Sequence, residues 1–432
     1  MRLGNGARLP LAMNWACSVY RLPPYQFDWQ VIEGAGKWAF SFSIGAAWPM
    51  LWLLDKNIAV GAVMDEQSFN RRQLLGGLAV AGGVGLLGTA VAGTAQAAEA
   101  ATPDLGPSQP PPITDVRDKV AYITGGSSGI GLGIARALHE AGARVILGNY
   151  DDKQFAEALK QFPEGDKRVQ TMVHDVMDRD AWERKADEIE KKFGAVNILV
   201  NNAGVGVMSG VVAGSMKDWD WAMGVNFWGP LYGVRTFVPR MLAGKQGSHI
   251  VTTTSTDGVL LGTAGIYAVT KLAVTGLMEQ MRHDLRATNI GTSNLVPGMT
   301  TSNLGRTESY RPETMKNEAP PVAAAPRPAG PRPAMPQPPA DTPPLWARPQ
   351  TALTAGRLVV NGIVNNDMWI FPAPEYRVGL QARCDAMLES MVDYLPMPEH
   401  IAAGHDRYYR TPIYVQEVAH RRATRKRVIP GV

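Results

Sequence analysis

The sequence predicts an α/β fold in which a doubly wound parallel sheet carries helices on both faces. Three observations predict it. From Asp118 onward, short β-branched apolar runs alternate with longer stretches of helical periodicity. The short runs are apolar along most of their length, as strands covered on both faces are. A glycine-rich turn, TGGSSGIG from Thr124 to Gly131, joins the first such run to the first helical stretch, and strand–helix alternation of this kind builds parallel sheets.

The elements follow in order. KVAYIT and ARVILG read as buried strands, with the helix LGIARALHEAG between them. DAWERKADEIEKKFG is a helix. VNILVNNAG and GSHIVTTTS are strands, followed by the helix YAVTKLAVTGLMEQMRHDLRA and the strand GTSNLVPG. Next comes PPVAAAPRPAGPRPAMPQPPADTPP, Pro320 to Pro344. Proline fixes φ and lacks a donor, so this stretch is extended or disordered rather than helix or inner strand. TALTAGRLVVNGIVNN then reads as a helix, MWIFP as a last strand and EYRVGLQARCDAMLESMVDYL as a closing helix. The alternating domain spans 118–395, with a proline-rich insertion at 319–349.

Of 432 residues, 45% are apolar and 19% charged, with a net charge of +4. That balance suits a globular core and excludes a nucleic-acid-binding footprint. Basic residues gather in HRRATRKR, His420 to Arg427, which reads as a solvated C-terminal tail within 396–432, with an acidic partner or lipid surface as the other reading. The two cysteines, Cys17 and Cys384, lie in no CxxC pair and near no histidine cluster, so no metal site is expected. Cys384 reads as a small buried hydrophobe.

The first 117 residues tell a separate story. Residues 1–63 are Trp-rich without clear periodicity. Trp38 to Leu54 is apolar but short for a membrane span and is broken by Pro49. From Met64, the pair Arg71 and Arg72 precedes a Gly-rich apolar run ending in Ala95, Gln96 and Ala97. This is the pattern of a twin-arginine signal peptide over 64–97. Translation from Met64 is the reading it favours, with a true N-terminal membrane anchor as the alternative. Residues 98–117 read as a stiff proline-rich spacer.

The glycine turn sits where a Rossmann-like fold cradles a pyrophosphate. Gly125, Gly129 and Gly131 let the backbone turn and approach a ligand closely, and the following helix offers free N–H groups. At the end of the second strand, Asn149 stands where an acid would accept a ribose 2′-hydroxyl. No Arg or Lys lies beside it, and Asp151 is near. The cofactor is therefore NAD or NADP, with NAD favoured. Tyr267 and Lys271, four apart on a helix, share one face. An ammonium beside a phenol favours phenolate and lowers its pKa from about 10.

In the order of these motifs the chain resembles the short-chain dehydrogenase/reductase family from Asp118 to about Gly305. TGxxxGxG is met by Thr124 to Gly131, NNAG by Asn201 to Gly204, and YxxxK by Tyr267 and Lys271. The resemblance implies that a dinucleotide lies along Gly125, Ser127, Ser128, Gly129, Ile130 and Gly131. It would continue past Asn149, Asp175 and Val176, then Asn202, Ala203 and Gly204. Pro297, Gly298, Thr300 and Ser302 would hold its nicotinamide amide. It also implies that Ser255 stabilises the substrate oxygen and Tyr267 transfers the proton. Lys271 would bind the ribose, and Asn226 would hold a water relaying protons from Lys271. Thr254 or Thr256 could replace Ser255, and Asn226 could be structural. The implied activity interconverts a secondary alcohol and a ketone, in a homo-oligomer.

The sequence departs from the family where the segment after Pro297–Gly298, from about Asn303 to Pro349, is enlarged and proline-rich. It reads as a solvated linker, a lid, or a docking strip for a partner. Two further readings remain from the residues: a non-catalytic nicotinamide-binding redox sensor, and an adaptor using the proline strip. Trp219 and Trp221 read as core. The signal peptide implies export with a tightly held cofactor; cytoplasmic action is the alternative.

Overall fold

The computed structural model describes residues 28–34, 37–43, 106–262, 264–318, 342, 349–391, 398, 400–401, 411–424 and 429. The signal-peptide reading at 64–97 and nearly all of the proline strip lie outside these residues. In the N-terminal unit two strands, β1 (Asp28–Gly34) and β2 (Lys37–Ser43), pair antiparallel, with Gly34 opposite Lys37. No helix among the described residues is long and apolar enough to cross a membrane.

The second unit holds the parallel sheet. Its elements run β3 (Val120–Thr124), α1 (Gly129–Glu140), β4 (Arg144–Asn149), α2 (Phe155–Leu159), β5 (Val169–Val173) and α3 (Ala181–Phe193). They continue with β6 (Ile198–Asn201), α4 (Met216–Met223), α5 (Gly229–Gly244), β7 (Ser248–Thr253), α6 (Gly265–Leu285) and β8 (Ile290–Leu295). Then come α7 (Ala352–Asn365), β9 (Trp369–Ile370), α8 (Arg377–Glu389) and α9 (Pro412–Thr424). The seven strands lie in the order β5-β4-β3-β6-β7-β8-β9, each parallel to its neighbours. The order reverses between β3 and β6, and in such sheets ligands bind beyond the strand ends at that point.

Alternation along β3 explains why both faces are covered. Ala121 and Ile123 join a core with Ile134 and Leu138 of α1 and Val359 and Ile363 of α7. Val120 and Tyr122 face the other way, into a core with Trp182 and Ile189 of α3, Phe237 of α5 and Met278 of α6. Helices α1 and α7 approach closely because both carry glycine at the crossing. A Cβ on Gly133 would fall 2.1 Å from the Ala352 carbonyl oxygen, and one on Gly356 would fall 2.2 Å from that of Gly133.

Four expectations are corrected. The spacer is packed from residue 106 onward: Ile113 and Val116 are buried, and Gln109 Nε2 donates to the carbonyls of Leu285, Thr288 and Ile290 at 3.2, 2.9 and 3.1 Å. The carbonyls at the end of α6 and the start of β8 thus gain partners from that segment. The basic tail is not simply solvated. It begins on α9, where His420 and Arg421 pair with the buried Asp367 at 2.9 and 2.7 Å and Ile413 is buried. Cys384 is only half-buried, on a helix that buries no residue. The helix expected over 375–395 forms as α8 but does not close the fold, since α9 follows.

Candidate active site

The site is built at the β3–β6 reversal. Gly125 and Gly129 take φ of +62° and +51°, conformations glycine adopts without strain. Thr124 ties the turn to the neighbouring strand: its Oγ1 accepts from Asn202 N at 3.0 Å and Ala203 N at 3.1 Å. Asn202 Nδ2 donates back to the carbonyls of Thr124 and Gly125, at 3.1 and 3.2 Å. Its Oδ1 accepts from Thr253 Oγ1 at 3.0 Å, so one asparagine couples β3, β6 and β7. Helix α1 begins after Ser128 with no side-chain cap and no acidic residue in its first turn. Its leading N–H groups are therefore available to an anion.

A cavity of about 390 Å³ opens over this turn. Its wall includes Gly125, Ser128, Gly129 and Ile130, then Asn149, Asp175 and Val176, and Asn202, Ala203 and Gly204. Ser255, Tyr267, Lys271, Pro297, Gly298, Thr300 and Ser302 complete the expected set on the same wall. Two expected cofactor residues stand off it. The Ser127 hydroxyl is buried without a partner. Gly131 lies beneath the turn, where a Cβ would meet the Gly125 oxygen at 2.2 Å. Its role is to let the helix approach the turn.

Asn226 also lies behind the wall. It sits in a π-helical turn, Gly224–Trp228, between α4 and α5. Its Oδ1 accepts from Val205 N and its Nδ2 donates to Val205 O and Thr270 Oγ1, each at 2.9 Å. Both amide hydrogens are thus committed to protein partners. The side chain fixes the backbone after Asn201–Gly204.

Ser255 caps the short turn Thr256–Gly258, and its Oγ accepts from Asp257 N at 3.1 Å. Tyr267 is buried, and its phenol meets the Ser255 hydroxyl. Lys271 Nζ lies 5.7 Å from the Tyr267 ring centroid and donates to Thr253 O at 2.8 Å. Burial is the largest influence on the phenol and raises its pKa to about 12; the Ser255 hydrogen bond opposes this and the Asp257 charge adds to it. Burial likewise pushes Lys271 down to about 8. Burial thus works on the phenol in the direction opposite to that expected of a neighbouring ammonium.

Several wall residues carried no readable signal in the sequence. Thr307, Leu304 and Tyr310 line the cavity from the segment after Ser302. Thr307 Oγ1 accepts from Gly206 N at 2.7 Å. Arg311, over the Trp221 ring at 4.3 Å, pairs with the buried Asp218 at 2.8 Å. Asp218 also accepts from Asn317 Nδ2 at 3.1 Å. The first part of the enlarged segment is therefore packed over the site. Trp221 is core, as expected, and lines the cavity too, while Trp219 packs half-buried against that core.

Comparison with known proteins agrees with this fold. Residues 119–312 match the family described as short chain dehydrogenase. The chain is 32% identical over 292 residues to a C alpha-dehydrogenase of Sphingobium sp. (strain NBRC 103272 / SYK-6), covering 66% of this chain and 91% of that protein. A short-chain dehydrogenase/reductase from Burkholderia phymatum, solved in complex with NAD, is 27% identical with a TM-score of 0.57, over 66% of this chain and all of that one. A putative short-chain dehydrogenase from Novosphingobium aromaticivorans is 28% identical, with a TM-score of 0.56, over 71% of this chain and 99% of that one. The chain belongs to the short-chain dehydrogenase family, a family of oxidoreductases with a Rossmann-like α/β fold.

Proposed function

We propose that the protein interconverts a secondary alcohol and a ketone using a nicotinamide dinucleotide, with NAD favoured over NADP. The observation that carries this reading is the single cavity shared by Ser255, Tyr267 and Lys271 with the glycine turn at Gly125–Gly129. A dinucleotide fits that wall on two counts. The first turn of α1 presents uncapped N–H groups with no competing acid. Thr300 Oγ1, on the wall beside Pro297 and Gly298, is buried without a hydrogen-bond partner. Gly125, Ser128, Gly129 and Ile130 would hold the diphosphate, and Asn149, Asp175 and Val176 the adenosine. Lys271 is the one Lys or Arg among the described wall residues. A 2′-phosphate near Asn149 would therefore meet no cation on that wall, and Lys153 close by is paired with Asp151, which supports NAD. The NAD complex of the Burkholderia phymatum relative points the same way.

The bound dinucleotide supplies or accepts the hydride. The chain's own residues handle the proton. In reduction, Ser255 Oγ donates a hydrogen bond to the substrate oxygen and Tyr267 Oη gives that oxygen its proton; oxidation reverses both roles. Asn226 holds the Val205 backbone and bonds Thr270, whose hydroxyl donates to the Tyr267 carbonyl one turn before Lys271. Tyr267→Phe in the full chain should still bind NADH, while turnover falls by about 10²–10⁴. Retained turnover would sink the assignment. Screening secondary alcohols with both dinucleotides tests the cofactor; a tenfold preference for NADP would overturn the lean to NAD.

We also infer export by the twin-arginine route, from Arg71 and Arg72 ahead of the Gly-rich run, and a homo-oligomer in solution. Arg71→Lys with Arg72→Lys should abolish periplasmic recovery. Unchanged distribution would favour the cytoplasm. A monomeric mass in light scattering would overturn the oligomer.

A further inference from the structure

Asp257 lies two residues past Ser255 on the cavity wall. The turn that carries it is fixed in place. Gly258 N donates to Ser255 O at 2.9 Å and Leu260 N to Thr256 O at 2.7 Å. Gly258 packs so tightly on α6 that a Cβ there would fall 2.7 Å from the Lys271 carbonyl oxygen. The position of the carboxylate is therefore tied to the helix that carries Tyr267.

The carboxylate is half-buried, and its Oδ2 lies 3.5 Å from Ser255 Oγ. Among the described residues no Lys, Arg or His side chain pairs with it. A carboxylate in a partly desolvated wall without a cation is unfavourable unless donors reach it. Ser255 and Tyr267 are the donors at hand, and the proposed reaction commits both to the reacting oxygen. Water can reach this half-buried group in the open cavity, and a substrate that displaces the water must replace it with a donor of its own.

We propose that Asp257 recognises a second hydroxyl of the substrate, on a carbon next to the carbinol carbon or one beyond it. The inference rests on the alcohol–ketone reading above. Ser255 Oγ and Asp257 Oδ2, 3.5 Å apart, would each reach a substrate oxygen at about 2.8 Å. With the two bonds running side by side, those oxygens would lie about 3–4 Å apart, a spacing that hydroxyls on neighbouring carbons can adopt. A hydroxyl is favoured over an ammonium because Lys271 occupies the same wall and would repel a cation.

The test measures binding, so it does not depend on turnover. In the full chain carrying Tyr267→Phe and saturated with NAD, calorimetry compares 1-phenyl-1,2-ethanediol, 1-phenylethanol and 2-amino-1-phenylethanol. The aromatic group suits a wall that includes Trp221 and Tyr376. The diol should bind about tenfold or more tightly than the mono-alcohol, the worth of one charge-assisted hydrogen bond. Asp257→Ala should bring that ratio to within about twofold, and Asp257→Asn, which keeps the size and removes the charge, should leave only a few-fold preference. No binding of the diol, equal binding of diol and mono-alcohol, or a ratio unmoved by either substitution would overturn the proposal. So would tighter binding of the amino alcohol than of the diol. Failure of the dehydrogenase reading would register separately, as wild-type protein inert toward every alcohol with either dinucleotide.

Discussion

Replacing Gly131 with alanine adds one methyl group at the point where α1 passes under the phosphate-binding turn. Its Cβ would lie 2.2 Å from the Gly125 oxygen and 2.4 Å from Asn202 Nδ2, whereas ordinary contact begins near 3.4 Å. Helix and turn must separate by about 1 Å, as overpacked contacts do. Asn202 Nδ2 now holds the carbonyls of Thr124 and Gly125 at 3.1 and 3.2 Å, and neither bond survives such a shift. Overpacking costs about 1–3 kcal/mol, and the two bonds contribute about 1 kcal/mol each. The sum, about 3–5 kcal/mol, lowers the melting temperature by roughly 6–15 °C in a domain of this size. Dinucleotide affinity should fall with it, because the turn no longer presents its N–H groups in register. Thermal unfolding by circular dichroism and titration of NAD by intrinsic fluorescence read the two effects. Gly276→Ala is the control: it lies exposed in α6 with nothing within 4 Å of its added Cβ, so helix propensity makes it neutral or stabilising. If Gly131→Ala matches wild type in both melting temperature and NAD affinity, the steric account of the turn is wrong.

Other expected outcomes follow from the same contacts. With the Tyr267 phenol held near 12 by burial, the base form needed for alcohol oxidation grows with pH, so oxidation should rise steadily from pH 7 to 10 while ketone reduction is not lost; an oxidation profile flat across that range would contradict it. Lys271 titrates at about 8 in the folded protein against 10.5 unfolded. Between those values the unfolded chain holds the extra proton, so wild-type stability rises with pH there. Lys271→Met should therefore exceed wild type by about 1–3 kcal/mol at pH 7, after allowing for the lost bond to Thr253, and the excess should shrink toward pH 10; urea unfolding at both pH values checks this, and a pH-independent difference refutes it. Asp218→Ala removes the buried partner of Arg311, which keeps only the exposed Glu308, breaks one half of the capping box at the start of α4, and leaves Asn317 with its Ser215 bond. Loss of about 3–5 kcal/mol is expected, and a urea midpoint unchanged within error would show that the packed segment over the cavity does not depend on the pair.

Much of this protein was legible in the linear chain because short-range rules write it. The period of apolar residues sets each of β3, β4, β6, β7 and β8, and the fixed spacing of Tyr267 and Lys271 puts both on one helical face. A turn at Gly125 and Gly129 needs positive φ, which only glycine takes freely, so the cradle can be read from residue type alone. Elements with weaker periodicity, such as α2, β5, α4 and α5, stood out less, and the π-helical turn at Asn226 has no local signature. Tertiary structure decided the rest, since those properties depend on what packs against what. Residues 106–117 read as a spacer until Gln109 is seen to hold three carbonyls at the end of α6 and the start of β8. His420 and Arg421 read as solvated until α9 brings them to Asp367. The chemistry of Tyr267 shows the division most clearly. Spacing alone placed an ammonium beside the phenol, but how far water is excluded from each group depends on the strands, turns and segment folded around them, and that exclusion sets both pKa values.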